Sequence, residues 1–196
     1  RYTVTGNEVA HEQFTEENKT QSEFKPVKIT AEQDGHLLKA IVGKNTYLID
    51  LQSGEIENIH ADGKEYGPIK LNLWRAPVDN DMYIKNKWNA QFLKYAKPYV
   101  REYNVTDNEI SFDVTVAADS LKPLLKAKIK YTFSDSGVSI SLDYKQTDTT
   151  KFEFLPRIGF CLKLDKAFDK LKYNGYGDDE TYADMYEYCL LYTSPS

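Results

Sequence analysis

Residues 126–144 read KAKIKYTFSDSGVSISLDY, and polarity alternates residue by residue on both sides of a short interruption. Ala127, Ile129, Tyr131 and Phe133 interleave with Lys126, Lys128, Lys130 and Thr132; Val138, Ile140, Leu142 and Tyr144 interleave with Ser139, Ser141 and Asp143. Successive side chains of a strand point to opposite faces, so each half buries one face and wets the other. Ser134-Asp135-Ser136-Gly137 supplies the turn, and the stretch is predicted to be a β-hairpin.

Moving outward, the same period runs through Ile110, Phe112, Val114 and Val116, and through Val27, Ile29 and Ala31 before an Asp34-Gly35 turn. Further short strands are predicted over 36–42, 46–51, 55–60, 99–105, 153–164 and 170–174. Many short antiparallel strands with turn signals between them predict an all-β protein, a β-sandwich. Only 87–96, KWNAQFLKYA, has helical spacing, with Trp88, Phe92 and Tyr95 at i, i+4 and i+7. That spacing predicts a helix laid over the sheet with the three aromatics in the core.

With 196 residues, 41% hydrophobic and 28% charged, the chain can bury a sizeable core and suits one large domain or a domain plus a fragment. Net charge is -5, and Lys and Arg are scattered among acids, so no stripe suited to nucleic acid exists. No apolar run approaches the roughly 20 residues that cross a bilayer, so no membrane partner is expected. The start, RYTVTGNEVAHEQF, has no signal-peptide apolar region. Compartment stays open between cytoplasmic and periplasmic. Cys161 and Cys189 form neither a CxxC pair nor a disulfide framework, and His11 has no partner at metal-ligand spacing.

The stretch LNLWRAPVDNDMY at 71–83 departs from the strand pattern. Asp, Asn and Pro mark an irregular loop, yet Trp74 and Arg75 are unusual residues for a mere connector. No Gly-rich phosphate loop, HExxH, GxSxG or paired Cys/His set occurs, so phosphoryl transfer, metal hydrolysis and serine hydrolysis have no visible carriers. Asp79 with Asp81, or Asp178, Asp179 and Glu180, could be an acid/base pair. Glycoside hydrolysis needs carboxyls roughly 5 to 9.5 Å apart across a bond, a placement that neighbours in one loop seldom meet. The plainer reading of Asp79-Asn80-Asp81 is a loop tied by Asx turns and an internal pair with Arg75, and of the 178–180 acids a solvated turn.

LWRAPVDND at 73–81, followed by Trp88, LPRIGFCLKL at 155–164 and GYGDDETYAD at 175–184, resembles the motif series of the C-terminal large β-sandwich of family-2 β-galactosidases, the small chain when the enzyme is split. GNEVAHEQF at 6–14 resembles the closing strand of the immunoglobulin-like domain that precedes it, and the polar run after it reads as a linker. The resemblance implies three segments. Residues 1–20 would be the end of that preceding domain with its linker; 21–188 would be the sandwich, of the supersandwich, galactose-mutarotase-like kind with one short helix and incomplete at its C-terminal end; 189–196 stand apart.

The resemblance further implies that the catalytic glutamates, and the magnesium and sodium sites, lie on an upstream (β/α)8 barrel that no part of this chain resembles. No catalytic residue and no metal ligand is therefore expected here, and the chain alone is expected to be inactive. The sandwich would support and shape the galactoside pocket of that barrel in an enzyme that is homo-oligomeric at full length. Trp74 and Arg75 would anchor the strand end; Asp79, Asn80 and Asp81 would fix the pocket-proximal loop; Met82 to Asn86 would be its mobile edge. Pro156, Arg157, Gly175, Gly177, Glu180, Tyr182 and Asp184 would be structural motif positions.

The chain departs from the family pattern in places. Tyr83 and Ile84 stand where the family has a Gly-containing loop, Asp178 replaces a Pro, and Met185 replaces an Arg together with any ion pair that Arg makes. The sugar-stacking Trp of the family's sandwich lies beyond this chain. CLLYTSPS at 189–196 breaks the strand pattern and matches a translation of the mosaic-end adapter of transposase-based sequencing libraries, so it is expected to be a cloning or assembly artefact. Cys161, in a strand-like stretch, is expected to be a buried, inert thiol. Two other functions stay open: a stand-alone small subunit of a heteromeric enzyme, and a carbohydrate-binding sandwich without catalysis whose 15 Tyr and 2 Trp offer stacking surfaces.

Overall fold

In the computed structural model, the described residues are 24–118, 122–168 and 170, with strand backbone alone at 171–176 and 189–195. The strands in chain order are β1 (Thr30–Asp34), β2 (Leu37–Val42), β3 (Asn45–Asp50), β4 (Ile56–Ala61), β5 (Lys64–Tyr66) and β6 (Ile69–Asn72). A short helix α1 (Lys85–Ala90) follows, then β7 (Lys97–Val105), β8 (Glu109–Ala117), β9 (Leu125–Ser134), β10 (Gly137–Gln146), β11 (Gly159–Leu162), β12 (Lys170–Tyr176) and β13 (Cys189–Pro195). The chain divides into two units, Glu23–Leu164 and a second made of Arg1–Ser22 with Asp165–Ser196.

The first unit is a two-sheet sandwich. One sheet has seven strands in the order β1-β2-β3-β4-β6-β11 with β5 attached to β4; the other has four, β10-β9-β8-β7. The predicted hairpin is β9–β10, in unbroken antiparallel register from Ser134↔Gly137 to Leu125↔Gln146. The period-2 pattern places the core: Leu38, Ala40 and Val42 from β2, Tyr47 and Ile49 from β3, and Ile110, Phe112, Val114, Ile129, Tyr131 and Phe133 from β8 and β9 are all buried. Each of the Val, Leu, Ile and Phe side chains among these contributes about 1.5–3 kcal/mol through its removal from water. The outer-face ion pairs Lys128–Asp113 and Lys130–Glu109, at 3.5 Å and half exposed, contribute at most about 1 kcal/mol each. Burial on the inner faces therefore decides the fold.

The two sheets are joined at the turn between β3 and β4. Gly54 has φ +73°, and a Cβ there would stand 3.0 Å from the Phe112 ring, so only glycine suits both the backbone and the space. The Tyr131 hydroxyl, fully buried, donates to the Gly54 carbonyl at 2.8 Å. Burial pushes the Tyr131 phenol well above its ordinary value, so it remains a donor at any physiological pH. The Val100 amide donates to the Gln52 carbonyl at 2.8 Å, fastening the same turn to β7.

Several expectations need correction. The helix predicted over 87–96 is shorter and starts earlier, at Lys85–Ala90, with a 3-10 turn over Leu93–Tyr95. Phe92 between them is left-handed at φ 54°, which ends the helix and turns its ring outward. Of the three aromatics given to the core, only Trp88 is buried; Phe92 and Tyr95 are exposed, and Leu93 fills the core instead. The strand predicted over 153–164 is limited to β11, and β5 falls where none was predicted; β6, which alternation did not predict, ends at Asn72, just before the Trp74 and Arg75 that the resemblance placed at a strand end, so Leu71 and Asn72 belong to a strand and not to the loop. Cys161 is exposed. Phe160 packs against the core, and the next residue of a strand points the other way.

The second unit's described ladder is β12 against β13, from Lys170↔Pro195 to Tyr176↔Cys189. Cys189–Pro195 thus continues the strand pattern that it was expected to break. The strand and linker expected within 1–20 lie outside the described residues.

Two outcomes are expected. Tyr131→Phe strands the Gly54 carbonyl in a dry interior and lowers stability by about 1–3 kcal/mol in urea denaturation. Iodoacetamide labels the Cys161 peptide in the folded chain at the same rate as in the denatured chain, within about tenfold, when followed by mass spectrometry.

Candidate functional site

The 73–81 loop is built on the end of β6, whose own attachment is slender. Only Ile56↔Ile69 pairs β4 with β6. The buried carboxylate of Glu55 supplements that pair: it accepts the Leu71 amide at 2.7 Å and holds the Lys70 ammonium at 3.3 Å, while Lys70 also pairs with Glu57. Burial raises the Glu55 pKa, against the lowering effect of the Leu71 amide and Lys70. Beyond β6, the Asn72 side-chain oxygen accepts the Trp74 amide at 3.0 Å and starts the turn.

Arg75 is the hub of the loop. Its guanidinium meets the Asp81 carboxylate with two parallel bonds, Nη1 to Oδ2 at 2.5 Å and Nη2 to Oδ1 at 3.0 Å. Its Nε donates to the Pro156 carbonyl at 3.0 Å, which ties the loop to the 155–157 segment. Asp81 Oδ2 also accepts the Val78 amide at 2.8 Å, closing the 3-10 turn over Asp79–Asp81 from within. A planar fork against a carboxylate fixes orientation as well as distance. These hydrogen bonds, led by those from Arg75, hold the Asp81 carboxyl below its ordinary value of 3.8. An acid kept ionised, with both oxygens occupied, cannot serve as a proton donor.

The floor beneath Arg75 is aromatic. Its guanidinium lies 5.9 Å from the Trp88 ring, and Trp88 is wholly buried, edge-on to Trp74 at 6.5 Å and to Phe154 at 6.0 Å. The Trp88 indole N–H is satisfied by the Phe154 carbonyl at 2.9 Å. Gln91 clamps the end of α1 by donating to the Thr149 carbonyl and accepting the Lys151 amide. Trp88 is thus packed as structure, and Trp74 is partly buried against the core.

Of the sequence-predicted site residues, the structure brings together Trp74, Arg75, Asp81 and the backbone of Pro156. Asp79 and Asn80 are exposed, and their side chains make no hydrogen bond among the described residues. Arg157 is exposed, and Gly175 lies in β12 opposite Leu190. Gly177, Glu180, Tyr182 and Asp184, with Asp178 and Asp179, fall outside the described residues. Met82–Asn86 is turn and helix start, with Ile84 buried and its amide bonded to the Asp81 carbonyl at 3.0 Å. Val78, Met82 and Tyr83 stand exposed around it. Sequence reasoning passed over Glu55 and Gln91; nothing in their local pattern marks a polar side chain whose partners are 16 and about 60 residues away.

A cleft of about 770 Å³ opens beside α1, lined by Lys87, Gln91, Lys122, Leu124, Asp148 and Lys151 among others. Among the described residues that line it, Asp148 is the one carboxylate.

An all-β sandwich carrying a loop pinned from beneath is the class that fold and site define. Residues 42–190 match the family described as β-galactosidase small chain, and the chain belongs to that family. It is similar to the β-galactosidase of Staphylococcus xylosus, 29% identical over 188 residues, covering 90% of this chain and 19% of that protein. It is also similar to the β-galactosidase of Actinobacillus pleuropneumoniae, 32% identical over 157 residues, covering 76% of this chain and 15% of that protein. A third, from Pseudoalteromonas haloplanktis, is 27% identical over 173 residues, covering 78% and 16%. The chain spans less than a fifth of the length of these relatives.

An acid titration isolates the loop's tie. Asp81 has a folded pKa below its unfolded value, so its contribution is present above about 3.8 and is lost as pH falls through the folded value. Glu55, raised, has the opposite sign and gains on acidification. Melting temperature in Asp81→Asn should therefore fall less than in the parent between about pH 5 and pH 2, and the two curves should converge at the acid end. Curves that stay parallel would refute the assignment.

Proposed function

We propose that the chain is a non-catalytic C-terminal portion of a family-2 β-galactosidase that hydrolyses terminal β-D-galactosides such as lactose. The observation that carries this reading is the loop: Arg75, Asp81 and Trp88 are spent on rigidity, while Asp79, Asn80, Met82 and Tyr83 remain exposed for a neighbouring surface. In this reading that surface is the mouth of a (β/α)8 barrel belonging to the same longer polypeptide. The barrel supplies two glutamates for a retaining double displacement, one as nucleophile and one as acid then base. This chain supplies position: a wall whose exposed polar tips cannot drift, because the backbone beneath them is tied at both ends of the turn.

Magnesium and sodium are ions of the longer enzyme in this reading. Among the described residues no three His, Cys, Asp or Glu side chains gather to hold a cation, so no step is routed through an ion on this chain.

Purified alone, the chain should not hydrolyse o-nitrophenyl β-D-galactoside. Introduced into the longer enzyme, Arg75→Ala should lower kcat/KM by up to about 100-fold through misplacement of the loop. Hydrolysis by the isolated chain, or full activity of Arg75→Ala, would sink the proposal.

A further inference from the structure

β6 and β11 form a ribbon that carries both anchors of the Arg75 loop. The loop leaves β6 after Asn72, and the Pro156 carbonyl that receives Arg75 Nε stands three residues before β11. The two strands pair from Ile69↔Leu162 to Asn72↔Gly159, and the Lys163 amide extends the ladder to the Pro68 carbonyl at 3.0 Å. The ribbon meets β4 in one backbone pair, Ile56↔Ile69. Ile69 and Leu73 are buried, and Leu71 and Phe160 pack on the core, but apolar contact is non-directional. A slip of two residues along β4 would keep every side chain on its face and carry the loop about 7 Å away.

Hydrogen-bond parity shows what guards against that slip. The Lys163 bond to Pro68 makes the even-numbered residues of β6 those bonded to β11, so Ile69 and Leu71 turn their backbone toward β4. Two residues on from Ile56↔Ile69, a continued ladder would set the Leu71 amide against the Gly54 carbonyl. That carbonyl is turned away: Gly54 is left-handed at φ +73°, and its oxygen accepts the Tyr131 hydroxyl in the core at 2.8 Å. The side chain of Glu55, buried at 7% exposure, reaches the place instead and accepts the Leu71 amide at 2.7 Å. Glu55 is itself fixed, its carbonyl accepting the Asp50 amide at 2.9 Å and its amide donating to Ser53 Oγ at 3.3 Å. Its other carboxylate oxygen holds the Lys70 ammonium at 3.3 Å.

We propose that Glu55 is a positioning residue for galactoside hydrolysis: its carboxylate replaces the backbone acceptor that the β3–β4 turn withdraws, sets the register of the β6–β11 ribbon, and so fixes where the Arg75 loop stands. The inference rests on reading that loop as a wall of the galactoside pocket. It traces the loop's position to the inner core, through Tyr131, Gly54, Glu55 and Leu71 in turn. The reach of the acid matters more than its charge. Lys70 has Glu57 as a second partner, whereas Glu55 is the one side-chain acceptor of the Leu71 amide among the described residues.

Three substitutions separate reach from charge, in this chain and in the longer enzyme of the source locus. Glu55→Ala removes both, Glu55→Asp keeps the charge but is one methylene too short for Leu71, and Glu55→Gln keeps the reach and loses the charge. In this chain, the Leu71 amide should exchange at least about 100-fold faster than in the parent in Glu55→Ala and Glu55→Asp, and within about tenfold of the parent in Glu55→Gln. The Ile129 and Tyr131 amides of β9 should stay protected in all three. In the longer enzyme, kcat/KM for o-nitrophenyl β-D-galactoside, per folded molecule, should fall by about 10- to 100-fold in Glu55→Ala and Glu55→Asp and recover in Glu55→Gln. A protected Leu71 amide in Glu55→Ala, full activity in Glu55→Asp, or a Glu55→Gln no better than Glu55→Ala would overturn the proposal. Equal loss of protection at Leu71, Ile129 and Tyr131 would do so too, by marking Glu55 as support for the whole fold. A parent enzyme that hydrolyses no β-galactoside would remove the galactosidase reading, and the exchange pattern would still decide whether Glu55 holds the ribbon.

Discussion

The spacing between the two sheets is set where the β3–β4 turn meets the inner face of β8 and β9. Gly54 lets the turn backbone descend onto the Phe112 ring, and its buried carbonyl is met by the Tyr131 hydroxyl. A buried carbonyl without a partner would oppose the packing that brings it there, so shape and hydrogen bonding have to be satisfied together. The rest of the core, including the edge-to-face contact of Tyr47 with Phe133 across the same gap, follows from that separation.

The elements legible in the sequence are those whose information is local. The 126–144 hairpin and the 110–116 strand could be read because every residue of each declares its face by polarity, and the turn between the hairpin strands contains its own glycine. The internal pairing of Arg75 with the Asp79-Asn80-Asp81 turn was also open to local reasoning, since a carboxylate six residues from an arginine across a proline-containing loop is within reach. What lay hidden depends on partners distant in the chain. β6 exists because Glu55 and Ile56 receive it, and nothing in IKLN distinguishes a strand from the lead-in to a loop. The end of α1 at Phe92 is a tertiary choice: the backbone turns left-handed to let Leu93 take the core position that helical spacing would have given to an aromatic ring. Cys161 was misplaced by a single step of parity, the smallest error a strand allows and one that reverses the answer.

The loop at 73–81 shows rigidity assembled from beneath. Its polar ties are few, but each is directed at a group that could not otherwise be satisfied: Asp81 receives both the Arg75 fork and the Val78 amide, and the Pro156 carbonyl receives Arg75 Nε. The aromatic floor then limits how far the guanidinium can swing. Such a loop presents side chains without itself taking part in their chemistry, which is consistent with a chain whose relatives are several times longer.

The packing of Trp74 against Trp88 has an optical consequence. The chain contains 2 Trp, and both sit in one corner, edge-on to each other and beside the Arg75 guanidinium. All of its indole emission therefore originates within a few ångströms of the loop. Excitation at the red edge of the absorption band reads the state of that corner alone, while the hairpin and the far side of the sandwich stay dark, so the fold carries its own local fluorophore beside the Arg75 loop.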